Sequence, residues 1–318
     1  MKDSQSIHRA AEIIRQGGVV AFPTETVYGL GANAFNPMAV ARIFEIKNRP
    51  FFDPLIVHIA DRSQVSSLVT DIFPSAEKLM NRFWPGPLTI VLFKTEEVPD
   101  IVTAGLPTVG VRMPRHPIAL RLIEEAGCPI AAPSANPFGY VSPTTAGHVR
   151  EQLGSQVDFI LDGGPCEVGL ESTILSLTEK IPRLLRPGGL PLEEIESIVG
   201  TVEIGSAEED ISFSPGRLPR HYAPRTPIVL NGWKESLDAY QNKKVGLLTI
   251  GRVDVSFPFR HIEVLSQRGD LREVAANLFA AIRRLDSLDL DLILSESVPE
   301  VGLGRAITDR LRRASRRE

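Results

Sequence analysis

Residues 21–31, AFPTETVYGLG, leave a strand in an unusual way. An apolar run (Val19, Val20, Ala21, Phe22) stops at Pro23, which has no N–H to give a sheet ladder. Two threonines around a glutamate follow, then a tyrosine and two glycines. Such an elbow is a phosphate cradle, a nucleophile with its base, or a polar turn beneath a helix. Its neighbours decide.

Upstream, residues 6–17 (SIHRAAEIIRQG) carry Ile7, Ala10, Ala11 and Ile14 at helical spacing and stop on Gly17-Gly18. Downstream, residues 36–48 predict a helix with Pro37 in its first turn. Further helices are expected over 75–84 and 116–127, the latter opened by Pro117 and closed by Gly127. Short apolar runs at 54–60, 88–94, 108–114, 129–136, 159–164, 172–177 and 181–188 predict strands. The alternation makes residues 1–202 an α/β domain on a twisted mixed sheet. Over 203–225 Pro, Ser, Gly and acidic residues run without a period, as in a linker. Residues 226–318 return to strand and helix as a smaller Rossmann-like α/β domain, without a GxGxxG.

The 318 residues, 43% hydrophobic and 23% charged, suit two globular domains. A net charge of −4 and a pI near 6.0 offer no broad basic footprint to nucleic acid. The tail RLRRASRRE (310–318) reads as a helix end favouring cations. Two cysteines, Cys128 and Cys166, make neither a disulfide framework nor a zinc motif. No leader-like apolar region or membrane-length span is evident, so a reduced, cytoplasmic protein is expected.

Residue types that could carry chemistry gather at strand ends. Lys47 and Arg49 close a helix before Pro50, either complementing its dipole or facing a polyphosphate. His58 lies inside the next strand and needs a partner there. Arg112 is embedded in an apolar strand, so it has an internal counter-ion or clamps a carboxylate-bearing ligand. Ser134, Asn136, Ser142, Thr144 and Thr145 sit at junctions where hydroxyls cap helices or meet phosphate. Ser172 and Thr173 enter another strand, and Arg186 leaves one. No GxSxG, Walker A or metal-ligand cluster is present, so electrostatic stabilisation of phosphoryl or nucleotidyl transfer fits better than covalent catalysis.

Taken as a set, FPTETVYGLGANA, KNRP with PLIVHI, WPGPLT, VGVRMP, APSAN with FGYVSPTTA, DGGPC with VGLEST, and LRPG resemble the YrdC-like domain of threonylcarbamoyl-AMP synthases. SPGRLPRHYAP and the βα tail resemble the two-domain form of that family, so the likeness covers nearly the whole chain. The resemblance implies a YrdC-like sheet and a reaction in which L-threonine, bicarbonate and ATP give threonylcarbamoyl-AMP and pyrophosphate. That product would feed the downstream tRNA threonylcarbamoyl transferase machinery, with no direct tRNA contact required.

The resemblance also implies roles. Lys47 and Arg49 would stabilise phosphate charge. Arg49, Asp53, Thr108, Ser134, Asn136, Ser142, Arg186 and His221 would contact ATP. Thr26, His58, Arg112, Ala132 (through its backbone) and Ser172 would contact threonine. Mg2+ would arrive with the ATP, without a metal cage of the protein's own. The linker keeps Ser214, His221 and Tyr222 but has Arg217, Leu218 and Pro219 where the family commonly has Met-Lys-Tyr. It is expected to act as a lid. The alternatives are an RNA-binding YrdC-like module without catalysis, and carbamoyl transfer as in hydrogenase maturation factors. The acidic balance weighs against the first, and missing acylphosphatase-like and zinc-binding segments against the second.

Overall fold

The computed structural model describes residues 2–205, 221–251 and 256–316. Helix α1 (Lys2–Arg15) leads into β1 (Val20–Phe22) and, past the elbow, β2 (Gly29–Asn33). Helix α2 (Pro37–Lys47) is capped by Asn36, whose side chain accepts from the Met38 and Ala39 N–H groups, with Pro37 in the first turn. It ends at Asn48, in the left-handed region at φ 50°. Then come β3 (Ile56–His58), α3 (Pro74–Phe83), β4 (Leu88–Phe93), α4 (Asp100–Thr103) and β5 (Thr108–Arg112). Helix α5 (Pro117–Ala126) is closed by Gly127 at φ 67°, where a side chain would be strained. Next are β6 (Ile130–Ala132), α6 (Ala146–Gln152, capped by Thr145), β7 (Phe159–Ile160), β8 (Thr173–Ser176), β9 (Arg183–Arg186), α7 (Leu192–Val199) and β10 (Glu203–Ile204).

These ten strands form one sheet in the order β10-β9-β8-β4-β5-β3-β6-β2-β1-β7. Its pairing is mixed: β4 and β8 run parallel, for example, while β4 and β5 run antiparallel. Strand β2 is unannounced by its composition, GLGAN, yet pairs antiparallel with β1 and β6. Its glycines are needed for clearance. A Cβ on Gly31 would lie 2.5 Å from the Ile130 side chain and 2.7 Å from the Phe22 ring. Strand β10 extends the sheet into the stretch read as the linker, pairing parallel with β9.

The second unit comprises β11 (Ile228–Leu230), β12 (Val245–Thr249), β13 (His261–Val264), α8 (Leu271–Ser287), β14 (Leu292–Ser295) and α9 (Gly304–Ser315). Its sheet, β11-β14-β12-β13, is entirely parallel, as the Rossmann-like reading requires. Of the residues read as a lid, 206–220 lie outside the described residues, Ser214, Arg217, Leu218 and Pro219 among them.

The two units share a core. Val27, Val141, Leu170 and Tyr222 pack in one cluster with Leu278, Phe279, Ile282 and Leu311 of α8 and α9. Asp286 on α8 accepts from the Tyr140 hydroxyl and, at 2.7 Å, from the Thr226 N–H. Gly169, at φ 75°, lies so close to α8 that a Cβ would stand 2.5 Å from the Ala275 carbonyl oxygen. Gly169→Ala should therefore destabilise the protein by about 1–3 kcal/mol, the range for overpacking a tight contact. Thermal unfolding reads this directly. A Tm within about 1 °C of wild type would show that the units are not tightly docked there.

Candidate active site

The elbow folds around one hydroxyl. Thr24 Oγ1 receives the N–H groups of Thr26 (3.1 Å) and Val27 (3.2 Å), donates to the Val27 carbonyl (2.6 Å), and lies 2.8 Å from Thr26 Oγ1. Its backbone is sewn to two other polar turns. The Ala135 N–H donates to the Tyr28 carbonyl and the Val168 N–H to the Glu25 carbonyl, both at 2.8 Å. The strand exits after β1, β6 and the 163–172 segment are thereby gathered at one point, the edge where mixed α/β sheets bind ligands.

There a narrow cavity is lined by Thr24, Thr26, Val27, Gly29, Arg49, Ile56, His58, Arg112, Ala132, Pro133, Ser134, Glu171, Ser172, Arg186, His221 and Tyr222. All five residues expected to contact threonine are in this wall, as are Arg49, Ser134, Arg186 and His221 from the nucleotide set. The other five are placed differently. Lys47 is buried behind the wall, its ammonium donating to the carbonyls of Ser134 (2.5 Å) and Asn136. Asp53 is the counter-ion of Arg49, with Oδ1 2.9 Å from Nη2. Asn136 spends its amide on the carbonyls of Pro137 (2.8 Å) and Tyr140 (3.0 Å). Ser142 is fully buried and donates to Glu171. Thr108 faces a separate small hollow bounded by Pro54, Thr89 and Ile174, which shares only Ile56 with the cavity.

Arg112 and His58, read as lying within strands, are instead the last residues of β5 and β3, and Arg112 has its counter-ion. Arg112 Nη2 lies 2.8 Å from Glu25 Oε1 in a pair almost wholly removed from solvent, and Arg112 Nε donates to the Gly86 carbonyl at 3.3 Å. Arg112 lines the cavity, whereas Glu25 does not. Arg186 reaches back to Ser172, donating through Nη2 to its carbonyl (3.0 Å) and its hydroxyl (3.3 Å).

Burial and this cationic surround keep the histidines neutral. Burial, then Arg112, pushes His58 down to about 3. Burial, then Arg49 and Lys47, lowers His221 well below its ordinary value. Burial lowers Lys47 as well, with Arg49 adding to the effect. Glu171 is held below the usual carboxylate range: burial opposes ionisation, but Arg310, Arg186 and the Ser142 hydroxyl outweigh it. Cationic groups and neutral imidazoles around a narrow cavity suit an anionic ligand.

Comparison with known proteins agrees with this geometry. A Sua5, YciO and YrdC family model described as "Telomere recombination" matches residues 12–188, and one described as "Threonylcarbamoyl-AMP synthase, C-terminal domain" matches residues 190–316. The chain belongs to the threonylcarbamoyl-AMP synthase family. The synthase of Pyrococcus abyssi is 49% identical over 97% of this chain and 94% of its own length. That of Bacillus subtilis is 46% identical over 97% and 92%. The crystal structure of P. abyssi Sua5 complexed with L-threonine matches at a TM-score of 0.91 with 48% identity, over 97% of this chain and 94% of that one.

Three residues of this family member's site were not singled out by its sequence. Thr24 organises the elbow, Glu171 is the one carboxylate in the cavity wall among the described residues, and Arg310 pairs with Glu171 from α9. The tail does end a helix, α9, as its cations suggest, but Arg310 is drawn inward: its side chain is 0% exposed, and Arg313 is also buried. The cations of α9 divide: Arg312 stays exposed, whereas Arg310 and Arg313 are covered, Arg310 by residues of the first unit.

The His58 shift fixes a pH dependence. Below its unfolded value of 6.5, the unfolded chain takes up a proton that the folded chain refuses down to about 3. Stability is therefore full above that unfolded value and falls by up to about 1.4 kcal/mol per pH unit beneath it. Urea unfolding at pH 6.5 and pH 5 should show His58→Gln losing about 2 kcal/mol less than wild type over that interval. Equal losses in the two proteins would mean that His58 titrates normally.

Proposed function

We propose that the chain makes L-threonylcarbamoyl-AMP and pyrophosphate from L-threonine, bicarbonate and ATP, for the threonylcarbamoyl modification of tRNA. The observation that carries this reading is that one cavity wall brings together residues expected for both substrates. The Thr24–Thr26 elbow, neutral His58 and Arg112 line it together with Arg49, Arg186, Ser134 and His221; the former are assigned to threonine and the latter to the nucleotide. The first set suits a small hydroxy-amino acid with a carboxylate, and the second suits a polyphosphate. Membership of the family, and the threonine complex of the P. abyssi relative, support the same assignment.

In this reading threonine's amine and bicarbonate condense to a carbamate with loss of water. A carbamate oxygen then bonds to the α-phosphorus as the bond to the bridging oxygen breaks, and pyrophosphate leaves with the electron pair. No protein nucleophile enters. Arg112, aimed by Glu25, holds the carboxylate, while Arg49 and Arg186 offset phosphate charge and hold the line of attack. Lys47 acts from behind, fixing the Ser134–Asn136 turn through its two carbonyl contacts. Mg2+ enters as part of the MgATP substrate: Asp53 and Glu171, the carboxylates beside the phosphate set, are already bonded to arginines. The free space, about 50 Å³, is far smaller than a nucleotide pocket of about 300 Å³ or more, so ATP entry requires the wall to yield.

A catalytically silent RNA-binding module fits less well, because these cations are buried rather than ranged along an exposed face. Pyrophosphate release should require ATP, threonine and bicarbonate together, and RNA should not replace any of them. Thr26→Val should raise the threonine KM about tenfold with little change in kcat, the loss of one hydrogen bond to substrate. Arg112→Ala should abolish turnover. Release independent of threonine, or full activity in Arg112→Ala, would overturn the assignment.

A further inference from the structure

Arg310 is among the largest fully buried side chains of the described residues, and it belongs to α9 of the second unit rather than to the unit that holds the cavity. It does not line the cavity, yet it touches two residues that do. Its Nε donates to Glu171 Oε2 at 2.9 Å, and its guanidinium carbon lies 4.9 Å from the centre of the Tyr222 ring. The other Glu171 oxygen accepts from the Ser142 hydroxyl at 2.5 Å. On its own helix, Arg310 Nη1 is held by Asp309 Oδ2 at 2.6 Å, while Asp309 Oδ1 takes Arg313 Nε at 2.9 Å. The guanidinium is thus fixed from below and presents one edge to a carboxylate and one face to an aromatic ring.

A buried ion pair is a poor way to hold two units together. Its desolvation largely cancels its attraction, and apolar side chains of similar volume generally do as well or better. The shared core of α8 and α9 with Val27, Val141 and Leu170 already supplies that apolar contact. What the arginine adds is direction. A planar fork can serve Glu171 and cover Tyr222 at once, which an ammonium on a flexible stem cannot.

We propose that Arg310 is a positioning residue: it holds the Glu171 carboxylate, through it the Ser142 hydroxyl, and the Tyr222 ring in the arrangement that the nucleotide half of the cavity needs. The second unit then has a defined part in the chemistry, because it completes the ATP side of a site whose threonine side lies wholly in the first unit. The inference rests on the function proposed above.

The test separates position from fold. Arg310→Met removes the charge, and Arg310→Lys keeps the charge but not the fork. Each is checked by thermal unfolding and then assayed for pyrophosphate release. In both, the ATP KM should rise about tenfold while the threonine Kd, measured by calorimetry without ATP, stays within about twofold of wild type. A residue that merely supports the fold would move both substrates together, or would be rescued in full by lysine. An ATP KM within about twofold of wild type in Arg310→Lys, or in folded Arg310→Met, overturns the proposal; should Arg310→Met not fold, Arg310→Lys decides alone. A wild-type protein that releases no pyrophosphate would instead sink the functional assignment, and ATP affinity by calorimetry would then decide the case of Arg310.

Discussion

Removing a guanidinium from water costs several kcal/mol unless charge of opposite sign and good hydrogen-bond geometry are waiting for it. This protein meets that condition repeatedly in one small volume. Arg49 is answered by Asp53, Arg112 by Glu25 and Arg310 by Glu171, while Lys47 and Arg186 are received by carbonyl oxygens. Each pairing fixes a side chain that has little freedom left. The result is a set of cationic groups, Arg49, Arg112 and Arg186 in the cavity wall with Lys47 and Arg310 behind it, whose directions are fixed before an anion arrives, and such preorganisation is what electrostatic stabilisation requires. The elbow, the glycine-lined β2 and the docking of α8 and α9 all serve to bring these pairs together.

Arrangement also divides labour among groups that look alike. Lys47 and Arg49 are two residues apart in the sequence, but α2 ends between them at left-handed Asn48. The lysine is thereby turned into the protein, toward the Ser134 and Asn136 carbonyls, and the arginine toward the cavity. Ser134 and Ser142 divide in the same way: one lines the cavity, the other works through Glu171. Proximity in a motif does not mean a shared task.

Much of this was legible in the residues. Pro37 and Gly127 marked helix ends where the structure has them, and the polar turns at strand exits do converge, because turn chemistry is local. Strand β2 was missed because Gly-Leu-Gly-Ala-Asn has little strand preference of its own; its pairing with β1 and β6 and the need for clearance over Phe22 override composition. Arg112 was ambiguous between counter-ion and ligand, and the fold brings in Glu25 from 87 positions earlier while leaving the guanidinium in the wall. The burial of Arg310 is not legible in α9, because its partner Glu171 comes from the other unit, which no spacing within the helix reports.

The ion pair between Glu171 and Arg310 spans 139 positions, and that separation bears on how the protein is made. A chain emerging from synthesis at about 5–20 residues per second exposes Glu171 roughly 7–28 seconds before its partner exists. Throughout that interval the first unit can form its sheet, but the carboxylate in its cavity wall lacks Arg310, the foremost of the groups that keep it ionised. Until α9 docks, Arg186 and the Ser142 hydroxyl attend that carboxylate without it. The full cavity wall is accordingly among the last features of the molecule to be completed, and a half-made chain cannot hold a finished one.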